Sequence, residues 1–239
     1  MLVSDMPIPQ EHWPFSDGWP SAAREASRSS YSESAYRSTV ALDKKVTNAE
    51  QRRYWTENIA EFEQLRYLSL RGALGQPLLT EVSKLDGLLH LELEGRVKFD
   101  DLGWLSKLNQ LEHLCLTLNQ ETDFASISNL EGLSSLALVP GSNVTALNGF
   151  TPAKMVNLET LILSSSSESK PLKIDSVSFV TQFEQLRYLG LYNLSCIDNR
   201  LSFLLGMPNL QGVMLAPGRS WNKEDVKLIE DSRIKIKWI

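Results

Sequence analysis

The chain has 239 residues but only two cysteines, Cys115 and Cys196, and only three histidines. Two cysteines exclude a disulfide framework, and a reducing cytoplasm is the expected setting. Long hydrophobic runs are also absent. None approaches the roughly 20 residues of a membrane span, so no membrane partner is expected. The first residues, MLVSDMPIPQEHWPF, contain neither a basic n-region nor an apolar h-region, so no secretory signal is read. The sequons at Asn143 and Asn193 are accordingly expected to stay unmodified. Positive charge is short as well: 24 Lys and Arg stand against 29 Asp and Glu, a net charge of −5. That balance gives no whole-chain argument for nucleic acid. Phosphate loops, H-E-x-x-H, C-x-x-C and G-x-S-x-G are all missing. Few general bases remain, so no catalytic residue, no cofactor and no enzymatic activity is expected.

Leucine, by contrast, recurs on a plan. The heptapeptide FEQLRYL occupies 62–68 and again 183–189. Both copies belong to one L-x-x-L-x-L frame, which starts at Leu65, Leu88, Leu111, Leu133, Leu158, Leu186 and Leu210, with steps of 23, 23, 22, 25, 28 and 24 residues. Upstream of each frame, apolar residues recur every third position, as at Leu102, Leu105, Leu108 and Leu111. A period of three suits 3₁₀ turns, and the x-L-x-L alternation suits a strand with one buried face. Each repeat is thus a strand and a short helical return. A single repeat cannot bury its leucines, so the units must stack.

These seven frames resemble the leucine-rich repeat family over residues 59–216. The returns DDLGWLSKLNQL and TDFASISNLEGL resemble the short bacterial repeats of the internalins. The resemblance implies an α/β solenoid: a parallel β-sheet on the concave face, short helical or 3₁₀ returns on the convex face, and recognition of proteins as the activity. One departure stands out. The family's asparagine after the last strand leucine occurs only at Asn119; other repeats have Ala73, Arg96, Gly141, Ser166, Leu194 or Gly218 there. Those bends must satisfy their backbone groups otherwise. The longest returns, 139–156 and 164–182, read as loops rich in Ser, Gly, Pro and Asn, with a binding role left open.

Both ends of such a stack need covering. Residues 48–58 read as an N-terminal cap helix, with Tyr54, Trp55, Ile59 and Phe62 apolar. Residues 217–239 read as a C-terminal cap: a helix started by Ser220, with Val226, Leu228 and Ile229 facing inward, then a degenerate eighth strand. Residues 1–47 read as an arm or linker, in which Trp13, Phe15 and Trp19 either cover the first repeat or dock a partner.

Alternation places the residues between the strand leucines on the opposite, concave face. Tyr67, Arg71, His90, Glu92, Glu94 and His113 lie towards the N-terminal end, and Val139, Ile162, Tyr188, Tyr192 and Met214 further on. These eleven are the candidate partner-binding residues. The twelve concave positions from Ser135 to Ala216 carry no charge, where a composition of 22% charged residues predicts two or three. Glu92 and Glu94 flank them on one side, and Arg233, Lys235 and Lys237 on the other. An uncharged centre inside a charged rim has the composition of a protein interface. Tyr188 and Tyr192 are expected to project from this face with a notch at Gly190 between them. His90, His113, Glu92 and Cys115 fall side by side and have the chemistry of zinc ligands, but nothing in the sequence supplies supporting groups.

The sequence therefore points to a non-enzymatic, cytoplasmic protein-binding module, monomeric when free. The narrower expectation is a bacterial inhibitor or immunity protein acting on a toxin or enzyme. The alternatives are a nucleic-acid-associated protein using Arg233, Lys235 and Lys237, or a structural, adhesive repeat protein.

Overall fold

Every leucine frame becomes a strand, and the strands stack in chain order. The structure, a computed structural model, describes residues 41–118, 123–140, 147, 150, 154–165, 171–216 and 221–238. Its main sheet contains β1 (Ala41–Val46), β2 (Tyr67–Leu74), β3 (His90–Val97), β4 (His113–Leu118) and β5 (Ser135–Pro140). It continues through β6 (Thr160–Ser164), β8 (Tyr188–Tyr192), β10 (Gly212–Leu215) and β11 (Lys235–Trp238). These nine strands pair in parallel in that order. Two shorter strands, β7 (Leu172–Ile174) and β9 (Leu194–Cys196), pair in parallel as a separate small sheet. This is the leucine-rich repeat solenoid expected from the frames.

The register aligns leucine with leucine. Leu91, Leu114, Leu136, Leu161 and Leu189 form one row, and Leu93, Leu116, Leu138, Leu163 and Leu191 the next. All are buried in one continuous core. Strand starts are joined by a second device. The Glu112, Ser134, Glu159, Arg187 and Gln211 amides each donate to the carbonyl at the matching position of the preceding repeat, at 2.8–2.9 Å. The 28-residue step before β8 keeps this bond, so long returns leave the sheet undisturbed.

The period of three is visible as hydrogen bonds. Leu105 donates to the Leu102 carbonyl, Leu108 to Leu105 and Leu111 to Leu108, at 2.9–3.1 Å. Val180, Phe183 and Leu186 repeat the pattern from Val177. The returns at Gly103–Lys107, Ser178–Gln182 and Ser202–Gly206 are 3₁₀ turns. The return after β2 is a short α-helix, Gln76–Val82.

The N-terminal cap helix α1 (Ala49–Asn58) starts at Asn48, whose side chain accepts from the Gln51 amide at 2.9 Å. Trp55, Ile59 and Phe62 are buried, as their pattern predicts, while Tyr54 is exposed. The segment read as arm or linker reaches into the sheet, because its residues 41–46 are β1. Leu42 and Val46 are buried there, and β1 covers the edge of β2. Trp13, Phe15 and Trp19 lie outside the described residues.

At the other end, the cap helix runs Lys223–Glu230 and is started by Asn222, which accepts from the Glu224 and Asp225 amides at 3.0 Å. Ser220, expected in that role, lies outside the described residues. Ile229 is buried and Val226 half-buried, but Leu228 is exposed, because the eight-residue helix turns only one side to the stack. Asp225 is almost fully buried. Its Oδ2 accepts from Arg200 Nε at 2.9 Å and from the Leu201 and Ser202 amides at 2.7 and 3.0 Å. Burial pushes this carboxyl up. The bonds from Arg200, Leu201 and Ser202 outweigh it and hold the carboxyl below its usual range.

The missing asparagines are replaced in two ways. In β2 and β3 the strands continue through Gly72 and Gly95, which pair with each other at φ +130° and +100°. A side chain at Gly72 would run into the Val46 carbonyl. After β8 the chain turns at Asn193 in the left-handed region, φ 51°, and enters β9. The return read as a loop at 164–182 therefore holds both β7 and a 3₁₀ turn. β7 and β9 form because Leu172, Leu194 and Cys196 join the core, and the turn because Val177, Val180 and Phe183 do.

Candidate interaction face

Side chains between the leucines leave the sheet on its other side, and the register brings them into rows. Tyr67 pairs with His90, His90 with His113, and Glu92 with Cys115. The first of these sets closes up. The Tyr67 and His90 rings lie 4.3 Å apart, and those of His90 and His113 5.8 Å apart. Tyr67 Oη donates to Glu92 Oε2 at 3.2 Å, and His90 Nε2 lies 3.1 Å from Glu92 Oε1. Tyr67, His90 and Glu94 are buried; Arg71, Glu92 and His113 are half-buried. Burial, reinforced by His90, lowers the His113 pKa to about 4, so this ring is neutral at pH 7. Glu92 thus accepts from Tyr67 and lies within hydrogen-bond reach of His90. Cys115 belongs to an apolar cluster, and burial, then Glu92 and Glu94, push its thiol up. Among the described residues, no three His, Cys, Asp or Glu side chains gather as a metal site.

The middle of the face is apolar and buried. Cys115, Ala137, Val139, Ile162, Tyr192 and Met214 form a second cluster, separate from the leucine core. Tyr192 departs from its expected pose. Instead of projecting beside a notch, its ring lies back over Gly190, 2.8 Å from where a β-carbon would be. The glycine supplies the space into which the ring folds. Tyr192 Oη donates to Met214 Sδ at 3.3 Å, and burial raises its pKa above the usual tyrosine range.

Tyr188 behaves differently. It is half-buried, and its neighbours in register are Thr160 and Gly212. The Gln211 amide bridges it to Arg187. In the orientation that satisfies both amide atoms, the nitrogen donates to Tyr188 Oη at 2.8 Å and the oxygen accepts from Arg187 at 3.1–3.2 Å. Arg187 also lies 5.7 Å from the Tyr188 ring centroid and 3.3 Å from Glu159. Beyond Tyr188 the face opens into a cleft of about 600 Å³. Thr160, Ile162, Gly190 and Met214 line its floor, Tyr188 one side, and Arg233, Lys235 and Lys237 the other. It exists because Gly212, between Tyr188 and Lys235, has no side chain.

Of the eleven candidate residues, Tyr188, Ile162 and Met214 meet at this cleft, with Tyr192 packed against Met214. Tyr67, His90, Glu92 and His113 form the polar group at the other end. Gln211 and Arg187, which set the Tyr188 ring, were not singled out from sequence. Their signal was the position directly before the concave row in two successive frames.

No protein-family model matches the sequence, and no curated protein matches it. Among solved structures, the chain is similar to an internalin (inlF) from Listeria monocytogenes, with a TM-score of 0.54 and 18% identity. That match covers 83% of this chain and 60% of the internalin, so the chain spans less than two thirds of its length. It is also similar to an internalin C2 (inlC2) from the same species, with a TM-score of 0.50 and 21% identity, covering 81% of this chain and 90% of the other. At such identity the likeness is one of fold. Repeats, register and neighbours agree: the chain is a leucine-rich repeat solenoid of internalin-like fold.

Proposed function

We propose that the chain is a non-enzymatic protein-binding module that holds a protein partner against its concave sheet, centred on β6, β8, β10 and β11. The observation that carries this reading is the cleft beside Tyr188. It combines a half-buried aromatic ring, an apolar floor and a charged rim, the make-up of an interface centre. Among the described residues, much of the rest of the face is closed by its own side chains, since Tyr67, His90, Glu94, Cys115, Ala137 and Val139 are buried. The narrower reading is an inhibitor or immunity protein acting on a toxin or enzyme. A reducing, cytoplasmic setting fits Cys115 and Cys196, which are both free thiols.

The test is capture of a partner by the intact chain, followed by calorimetric titration of three proteins. Wild type and a convex-side variant, Arg53→Ala, should bind alike. Tyr188→Ala should weaken binding by about 2 kcal/mol or more. A partner indifferent to Tyr188→Ala and lost with convex substitutions would overturn the reading.

A further inference from the structure

The cleft carries a charge opposite to that of the whole chain. Arg233, Lys235 and Lys237 line it, and no Asp or Glu appears among its described lining residues, although the chain as a whole is at −5. Two other cations of these last repeats do have carboxylate partners: Arg187 lies 3.3 Å from Glu159, and Arg200 2.9 Å from Asp225. The three in the cleft have no carboxylate partner among the described residues. Arg233 is held in place by its bond to the Met207 carbonyl at 2.8 Å, which leaves its charge uncompensated. Lys235 and Lys237 alternate on β11, so both ammonium groups leave the same side of the sheet. Between them and Tyr188 lies the uncharged floor with Ile162 and Met214.

We propose that the cleft takes an acidic segment of the protein partner, with carboxylates set against Lys235 and Lys237 and one apolar side chain over Met214. This rests on the concave-face reading and names the chemistry of its partner. A cleft of about 600 Å³ admits a few side chains, not a domain, so the occupant is a protruding segment. Nucleic acid fits less well. Its phosphates run on as a continuous line of charge, whereas these cations end at β11. The next charges along the same face are Glu92 and Glu94. Tyr188 is already fixed by Gln211 and Arg187, so the wall is formed before the segment arrives.

The test uses a fluorescein-labelled Glu-Glu-Phe-Glu-Glu peptide, its Gln-Gln-Phe-Gln-Gln counterpart and a ten-residue oligothymidylate, each titrated into the full chain by anisotropy. The acidic peptide should bind at least about tenfold more tightly than the neutral one and weaken as salt rises. Lys235→Glu/Lys237→Glu should cost at least about tenfold, and Lys235→Gln/Lys237→Gln an intermediate amount. Melting curves and sedimentation confirm that each variant is folded and monomeric. The proposal falls if the acidic peptide does not bind, if charge reversal leaves its binding unchanged, or if the oligothymidylate binds more tightly. It also falls if the wild type self-associates and charge reversal abolishes that, which would make a second copy the occupant. A captured partner that tolerates Lys235→Glu/Lys237→Glu but not Tyr188→Ala removes this proposal and leaves the concave-face reading standing. One that tolerates both removes the reading itself.

Discussion

Tyr67 and Tyr188 are the same residue of the same heptapeptide, at the same point of two repeats, and they end in different states. Tyr67 is buried, stacked on His90 and bonded to Glu92. Tyr188 stands half-exposed at the mouth of a cleft. Their leucines behave identically: Leu65 donates to the Phe62 carbonyl, and Leu186 to that of Phe183. The difference comes from the adjacent strand, which offers His90 to one tyrosine and Gly212 to the other. The repeat fixes where a side chain leaves the sheet. Its neighbour in the next repeat decides whether the face there is closed or open.

Substitutions on the two halves should separate these roles. The largest effect is expected at Tyr192→Ala, which empties the second cluster and should cost about 3–5 kcal/mol in denaturant unfolding. A loss below about 1 kcal/mol would mean that the ring stands free. Leu136→Ala, in the ladder shared by both halves, should cost about 2–5 kcal/mol, and Leu91→Ala and Leu189→Ala about the same. Unequal losses would break the equivalence of the repeats. Gly72→Ala should cost about 3 kcal/mol, through backbone strain and loss of β1 pairing. Gly212→Ala, whose β-carbon would sit in ordinary contact 3.4 Å from Tyr188, should cost little. Chemical denaturation of the pair measures the contrast.

The closed half should also respond to acid. His113 titrates at about 4 when folded, against about 6.5 when unfolded. Between these values the unfolded chain takes up a proton that the folded chain refuses, so stability falls as pH drops from about 6.5 to about 4. The loss is of the order of 3 kcal/mol. His113→Gln should flatten that part of the stability–pH curve, and an unchanged slope would place the proton elsewhere. The smallest effect is expected at Tyr188→Ala, within about 0.5 kcal/mol of wild type in a melt, despite its effect on binding.

The leucine ladder was legible because burial repeats at fixed spacing, and seven frames agree with one another. β1 was not, since Leu42 and Val46 alone show its buried side and no L-x-x-L frame marks it. β7 was hidden in a Ser-rich return, where three residues are too few to show alternation. The concave face was legible as a direction only. Alternation states that Tyr192 leaves on that side, not that its ring turns over Gly190. Glycine beside an aromatic residue was itself the available signal, and it reads equally as a notch or as a seat.

The clasp between Asp225 and residues 200–202 bears on how the molecule comes apart. A linear stack has no contacts between distant units, so it loses order from its ends, and the weakest junction sets the first step. Here the last helix is fastened to the preceding repeat by a buried carboxylate rather than by apolar contact alone. Amide hydrogens of that helix and of the turn at 202–206 should therefore exchange as one cooperative unit, and Asp225→Asn should let the helix exchange ahead of the turn. Held in this way, β11 stays on the sheet, and with it the lysines that give the cleft its charge.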